Sequence, residues 1–159
     1  MAAVLIACVY AVAFSAEQVF NRRKPIYSGD PAKKQVAITV NVDWGEEYIP
    51  RMLELFKKNR VRATFFISGR WAGEHQQLVR KIAEAGHEIG NHGFSHPHVN
   101  ELSVEENIKE IQETSKAIER AAKRKTRYFA PPYGEYNDIV LEAAARTGHQ
   151  VILWTVDTV

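Results

Sequence analysis

The sequence predicts an α/β fold with a parallel sheet, and three observations support this prediction. Short runs of β-branched and aromatic residues alternate with segments of helical periodicity, the pattern of parallel strands joined by right-handed crossovers. The 159 residues, of which 45% are hydrophobic, suffice for one domain with a core. The residues suited to chemistry fall just after predicted strands, where parallel sheets place their active sites.

The N-terminal residues predict export. Residues 1–16 are apolar and uncharged, fewer than the roughly 20 that a spanning helix needs, and small residues near position 16 suit signal peptidase. We expect a signal peptide or the remnant of a membrane anchor, so that the domain lies in the cell envelope or outside the cell. A buried N-terminal helix is the alternative. Residues 17–33 are polar, with two prolines, and predict a linker, so that the domain spans 34–159.

The first elements of the predicted domain are a strand, a helix and a second strand. The β-branched run Gln35–Val42 predicts a buried strand that ends at Trp44. Apolar residues at helical spacing follow, and the charges at the two ends suit the helix dipole. The apolar positions are Ile49, Met52, Leu53 and Phe56, with Glu46 and Glu47 in the first turn and Lys57 and Lys58 in the last. Val61–Ile67 predicts the second strand.

The middle of the chain predicts two helices around a short strand. Gln76–Ala85 has helical periodicity and ends at a glycine, and Glu88–Asn91 predicts the third strand. Ser103 and Glu106 form a capping-box pattern, which predicts the start of a long helix. The inner face of this helix consists of Ile108, Ile111 and Ile118.

The last elements are two strands, a rigid loop and a helix. Arg127–Phe129 predicts the fourth strand, and Pro131–Gly134 predicts the loop after it. Asn137 can cap a helix that runs to Thr147, and the apolar run Val151–Val156 predicts the last strand. Because no helix follows that strand to protect its edge, we expect the sequence to be part of a longer domain.

Charge and cysteine content exclude some classes of function. The net charge is only +2 and the Lys and Arg residues are scattered, so the sequence does not predict a basic surface that binds nucleic acid. The single cysteine, Cys8, excludes an internal disulfide. We expect His75, His98 and His149 at the surface, with His98 able to line a groove, and we expect His87 to pack beside the glycine that ends its helix.

The most informative feature of the sequence is the pair His92 and His96. Two imidazoles and one carboxylate can hold a metal ion with an open position for water, and Asp43 follows a predicted strand. No glutamate adjoins the first histidine, and the Gly-containing segment predicts a loop, so the helical metalloprotease pattern does not fit. Two surface histidines without a metal are the alternative.

Three stretches, Ala63–Ile67, Glu88–Pro97 and Pro131–Asn137, resemble the polysaccharide deacetylase family, the NodB-homology domains of carbohydrate esterase family 4. The resemblance covers about Lys34–Val159. It implies a distorted (β/α) barrel, incomplete at the C-terminus here. It also implies a metal-dependent hydrolase, usually with zinc, that removes N-acetyl groups from cell-wall or chitin-like polysaccharide containing N-acetylglucosamine.

The resemblance also implies roles for individual residues. Asp43, His92 and His96 would hold the metal, and the backbone N–H of Tyr133 would stabilise the oxyanion. Asp157 would begin a further motif, and the histidine that acts as general acid would lie beyond Val159. The substrate would contact Trp44, Pro131, Pro132 and Tyr133, where the aromatic rings suit sugar faces. Core packing is the alternative for Trp44.

Two residues depart from the family pattern. Asn41 stands where the family has its aspartate base, and an amide does not accept a proton near neutral pH. Ala130 stands where the family has an arginine that orients the base. Alternation along the strand puts Asn41 and Asp43 on one face, so Asp43 can act as metal ligand or as base. The alternative function is therefore a catalytically weakened homologue that binds glycan or supports spore or cell-wall assembly, as the resemblance to the sporulation-associated branch also suggests.

Overall fold

The structure is a computed structural model that describes residues 24–158, and its sheet has five parallel strands in the order of the chain. The strands are β1 (Thr39–Val42), β2 (Thr64–Ile67), β3 (Glu88–Asn91), β4 (Tyr128–Phe129) and β5 (Gln150–Val151). The leader at 1–16 and the first part of the predicted linker lie outside the described residues. Each strand pairs with the one before it, which is the arrangement of a (β/α) barrel wall.

Five helices cover the outer face of this sheet within residues 24–158. They are α1 (Ile49–Asn59), α2 (Gly69–Glu74), α3 (Gln76–Glu84), α4 (Val104–Ala122) and α5 (Asp138–Arg146), with short 3-10 turns at Val99–Glu101 and Pro132–Gly134. In the part of the chain that the structure describes, no helix is both long and apolar enough to cross a membrane.

The caps of the two last helices confirm the sequence prediction. Ser103 and Glu106 form both halves of the capping box at the start of α4. The Asn137 side chain accepts a hydrogen bond from the N–H of Val140 and begins α5. These caps are local in sequence, which is why the pattern alone predicts them.

The first strand is shorter and more exposed than predicted. The prediction of a buried strand over Gln35–Val42 is wrong, because β1 begins at Thr39 and Val36 is 89% exposed. Thr39 pairs with Thr64, the first residue of β2, so the residues before Thr39 lie beyond the start of their neighbouring strand. The second strand is likewise shorter than the predicted Val61–Ile67.

The helix prediction also needs correction near the start of α1 and before α3. Glu46 and Glu47 precede α1, because the helix begins at Ile49 with a proline in its first turn. The lysines in its last turn are confirmed. The additional short helix α2 precedes α3.

Two apolar clusters pack between the sheet and the helices. The first joins β1, β2 and β3 to α1, α2, α3 and one end of α4, and its members include Val42, Phe65, Ile67, Ile82, Ile89 and Ile118. The second joins β4 and β5 to α4 and α5, and includes Ile111, Phe129, Val140, Val151 and Leu153. Ile111 and Ile118 thus confirm the predicted inner face of α4, and Ile108 packs against the second cluster while half-buried.

The segment before the predicted domain boundary pairs with the last strand. Ile26 forms an isolated parallel bridge with Ile152, and its N–H donates to the carbonyl of Val151 at 2.9 Å. The expectation that folded structure begins near Lys34 is therefore corrected, while the division into leader, linker and domain stays a prediction. The predicted strand Val151–Val156 is also shortened, since β5 is Gln150–Val151.

Candidate functional site

Three polar side chains follow neighbouring strands at the carboxyl edge of the sheet. The last residues of β1, β2 and β3 are in register, and the residues that come next are Asp43, Ser68 and His92. Ser68 and His92 are buried and Asp43 is half-buried. The fold therefore brings two predicted site residues, Asp43 and His92, to the same edge and places the Ser68 position between them.

The imidazole of His92 is held in one tautomer. Its Nδ1 lies 2.7 Å from the carbonyl oxygen of Ala130, and since that oxygen only accepts, Nδ1 carries the hydrogen. Burial lowers the pKa of His92 to about 4, and the hydrogen bond to Ala130 opposes this only in part. At neutral pH His92 is therefore an uncharged imidazole with its lone pair on Nε2, the form that ligates a metal.

His96 and Tyr133 have left-handed backbone conformations beside His92. Their φ angles are 57° and 59°. The other non-glycine residues of this kind within 24–158 are Arg60 and Lys123, which are helix C-caps. The rings of His92 and His96 have centroids 4.9 Å apart, and those of His96 and Tyr133 are 4.7 Å apart. A strained residue of this kind costs about 1–3 kcal/mol and persists only where surrounding structure holds it.

Two helices hold the loop that carries His96. The amides of Gly69 and Arg70, at the start of α2, donate to the carbonyls of Gly93 and Phe94 at 2.9 and 3.0 Å. From the other side the Glu110 carboxylate of α4 accepts from the amide of Phe94 at 2.6 Å. The same carboxylate accepts from the amide and hydroxyl of Ser95 at 2.9 and 3.0 Å. These contacts fix the backbone next to His96.

Sequence reasoning missed both Glu110 and Arg70. Glu110 is one of several acidic residues on α4, and nothing local distinguishes it from Glu105 or Glu113. Arg70 lies in a short helix that the periodicity did not predict. Both residues reach the site only through tertiary contacts, so the pattern of the sequence holds no signal for them.

Asp43 forms an ion pair with Arg70. Nη2 of Arg70 lies 3.2 and 3.0 Å from the two carboxylate oxygens of Asp43. The Asp43 side chain is 18% exposed and that of Arg70 is 51% exposed. The only carboxylate in the predicted metal set is therefore engaged by a cation of the chain itself.

Asn41 lies on the same strand face as Asp43. Val40 and Val42 pack into the first apolar cluster, so strand alternation directs the Asn41 and Asp43 side chains to the opposite, inner face. Asn41 is exposed and pairs in register with Phe66, which is buried. An amide at this point can donate and accept hydrogen bonds, but it cannot take up a proton near neutral pH.

An aromatic surface lies beside the histidines. Tyr133 is 57% exposed, and its ring stacks on that of His98 with centroids 4.3 Å apart. Nδ1 of His98 lies 2.9 Å from Oε1 of Glu135, and this hydrogen bond raises the pKa of His98. Trp44 is 78% exposed, which removes the alternative that it packs in the core. Exposed rings of this kind suit the apolar faces of sugars.

The remaining predicted contacts are less exposed or lie farther along the chain. Pro131 and Pro132 are buried, so they support Tyr133 and leave little surface for a sugar. Gly134 has φ of 68°, and a Cβ there would come within 3.0 Å of the Trp154 ring. Asp157 is exposed and lies beyond β5, and its role stays a prediction.

Comparison with protein families identifies the family of this chain. The family model described as polysaccharide deacetylase matches residues 28–152, which is most of the chain. The chain belongs to the polysaccharide deacetylase family. The resemblance of its three motif-bearing stretches to this family is thereby confirmed.

Two curated proteins of Bacillus are similar in sequence to this chain. The uncharacterized protein YlxY of Bacillus subtilis is 41% identical over 136 residues, covering 86% of this chain and 43% of YlxY. A peptidoglycan-N-acetylglucosamine deacetylase of Bacillus cereus is 35% identical over 133 residues, covering 84% of this chain and 48% of the enzyme. The chain thus spans about half the length of the curated relatives it matches.

A solved structure of the same family is similar throughout the matched region. Wild-type BA3943, a CE4 family pseudoenzyme from Bacillus anthracis, is 46% identical with a TM-score of 0.84, covering 86% of this chain and 48% of BA3943. A BA3943 mutant with restored enzymatic activity gives a TM-score of 0.83 at 43% identity, covering 86% of this chain and 50% of the mutant. These likenesses confirm the predicted fold class, the α/β deacetylase barrel.

The donor chemistry of the candidate site fits a divalent metal, although the donors are not gathered. One carboxylate and two imidazoles, from Asp43, His92 and His96, form a zinc-type set. The buried hydroxyl of Ser68 has no hydrogen-bond partner, so an entering group with a polar atom would satisfy it. Within residues 24–158, however, no three His, Cys, Asp or Glu side chains lie close enough together to hold a metal.

Proposed function

We propose that this domain binds N-acetylated cell-wall glycan of the peptidoglycan type at the carboxyl edge of its sheet, with weakened or absent deacetylation. The observation that carries the proposal is Asn41, which occupies the inner face of β1 where the family resemblance implies an aspartate base. General-base catalysis contributes about 10²–10⁴-fold to a hydrolytic rate, so its loss alone leaves little turnover.

The surroundings of Asn41 support the same proposal. Asp43, which directly follows β1, is the carboxylate next to Asn41 on this face, and it is paired with Arg70. Ala130 is 1% exposed, and only its backbone contacts His92, at a position where the family resemblance implies an arginine. The base and the residue that would orient it are thus replaced together, as expected if both were released from the same catalytic constraint.

The comparisons support the substrate class and the loss of turnover. A relative of 35% identity is named for deacetylation of N-acetylglucosamine in peptidoglycan. The similar structure BA3943 is described as a pseudoenzyme, and a mutant of it as having restored enzymatic activity. We therefore propose an exported domain in the cell envelope, in agreement with the apolar leader, and a role in spore or cell-wall assembly.

The second candidate function is metal-dependent N-deacetylation of the same glycan. His92 favours it, because this residue is neutral and presents a free Nε2 beside His96. Asp43, His92 and His96 would hold the metal, which we propose to be zinc. When bound, the metal would supply a polarised amide carbonyl and a water of lowered pKa. The backbone N–H of Tyr133 would stabilise the oxyanion, and the stacked rings of Tyr133 and His98 would orient the sugar.

Binding and turnover can be measured separately. Calorimetric titration with N-acetylglucosamine oligomers should show binding, and an acetate-release assay with added zinc should show no product above a protein-free control. The double change Asn41→Asp with Ala130→Arg should raise acetate release at least about tenfold, whereas Asn59→Asp, at an exposed site on α1, should not. Acetate release by the unchanged protein would favour the second candidate, and absence of glycan binding would exclude the first.

A further inference from the structure

The pair between Arg70 and Asp43 occupies the carboxylate on which a metal at this site would depend. One guanidinium nitrogen, Nη2 of Arg70, contacts both oxygens, at 3.2 and 3.0 Å. A guanidinium this close to both oxygens neutralises the carboxylate charge and repels a second cation there, so a divalent metal binds Asp43 more weakly while the ion pair persists. Two cations therefore compete for one anion.

Arg70 is fixed from the side of the histidine loop. Its own amide donates to the carbonyl of Phe94 at 3.0 Å, and Gly69 beside it donates to the carbonyl of Gly93. The backbone that carries the guanidinium is thus bound to the loop between the two histidines, while the side chain reaches the end of β1. This places Arg70 as a bridge between the two halves of the predicted ligand set.

We propose that Arg70 is a resident cation of this site, which holds Asp43 in place of a divalent metal and sets the metal affinity by competition. This inference rests on the proposed function, whose weakened catalysis it helps to explain. It accounts for the lack of any gathered metal-binding group among residues 24–158. It also explains which group balances the charge of the Asp43 carboxylate. Ala130 stands where the family resemblance implies an arginine, so no guanidinium comes from that position.

The test compares zinc binding by calorimetry in the unchanged protein and in Arg70→Met, which keeps the aliphatic stem but removes the charge. Arg51→Met, at an exposed arginine on α1, is the matched control. We expect Arg70→Met to bind zinc about two- to fivefold more tightly, the gain from releasing one partly exposed ion pair. Arg51→Met should leave the affinity unchanged.

Further variants make the result specific to Asp43. In the Arg70→Met background, Asp43→Asn should remove the gain, and Arg70→Lys should bind zinc as weakly as the unchanged protein because it keeps a cation. An unchanged or weaker affinity in Arg70→Met, or no zinc binding by any variant, would overturn the proposal. Glycan titration of the same samples is independent of this outcome, so a failure of the proposed function can be told from a failure of the Arg70 proposal.

Discussion

Among single side chains, His87 shows how burial fixes a protonation state away from the candidate site. It is 3% exposed and packs between the rings of Phe56 and Phe65. The amide of Ala63 donates to its Nδ1 at 3.2 Å, so the folded protein needs this nitrogen unprotonated. Burial, with the Arg62 guanidinium nearby, lowers the pKa of His87 below its ordinary 6.5.

The lowered pKa of His87 predicts acid sensitivity. Below about pH 6.5 His87 binds a proton in the unfolded chain but stays unprotonated in the folded protein. The free energy of unfolding therefore has its full value above that pH and decreases on acidification. Each unit by which the pKa is lowered corresponds to about 1.4 kcal/mol. Urea unfolding at pH 7.5 and 5.5 should show a smaller loss for His87→Asn, whose Oδ1 can still accept from Ala63. An equal loss in both proteins would assign the effect to other groups.

Glu110 is predicted to be a positioning residue for the histidine loop. Hydrogen bonds to a charged acceptor contribute about 1.5–3 kcal/mol, so Glu110→Ala should free the amides of Phe94 and Ser95. Hydrogen exchange at these two amides should accelerate at least about tenfold. Glu113→Ala, on the same helix and paired with Lys116, should leave both rates unchanged. Protection that survives Glu110→Ala would mean that the α2 amides alone hold the loop.

Among the elements, β2 and β3 meet on the inner face with no room for a methyl group. A Cβ on Gly90 would overlap the Phe66 ring, which is 1% exposed. Gly90→Ala should therefore cost about 1–3 kcal/mol of unfolding free energy by overpacking. Gly73 in α2 has open space around its Cβ position, so Gly73→Ala should stabilise by up to about 1 kcal/mol. Chemical denaturation measures both, and a neutral Gly90→Ala would show that Phe66 can move aside.

The elements also show which features the sequence can predict. The capping residues Ser103 and Asn137 act within three residues of themselves, so their pattern suffices. The length of β1 depends on its register with β2, which the sequence of either strand does not contain. His149 was predicted at the surface but is 4% exposed, and its Nε2 lies 2.8 Å from the hydroxyl of Thr126, a partner from another segment that the local sequence does not reveal. Glu110 and Arg70 were not predicted either, because their contacts are with residues far away in the sequence.

At the scale of the whole molecule, residues 24–27, the first that the structure describes, pair with the last strand. The N–H groups of Ile26 and Leu153 donate to the carbonyls of Val151 and Ile26, both at 2.9 Å, and the Gln150 side chain donates to the carbonyl of Lys24 at 2.6 Å. These contacts cover the outer edge of β5, which would otherwise be open to another strand.

Removal of this segment predicts a loss of stability that tests the domain boundary. A protein starting at residue 34 loses all three hydrogen bonds, each contributing about 0.5–1.5 kcal/mol, whereas a protein starting at residue 24 keeps them. We expect the shorter protein to have a melting temperature several degrees lower and a greater tendency to associate, measured by calorimetry and light scattering. Equal melting temperatures would restore the boundary near Lys34.

The strand order described above has a further consequence for how the chain assembles. Every strand from β2 to β5 adds beside the one that precedes it in the chain, so during synthesis the docking partner of each new strand has already emerged. Each of these pairings closes a shorter stretch of chain than a pairing between non-consecutive strands would, so its loop-closure entropy cost is smaller. The pairing of Ile26 with Ile152 is the exception, because it must wait for nearly the whole described chain. We expect it to be the last contact to form, leaving the N-terminal segment unattached while the rest of the sheet is built.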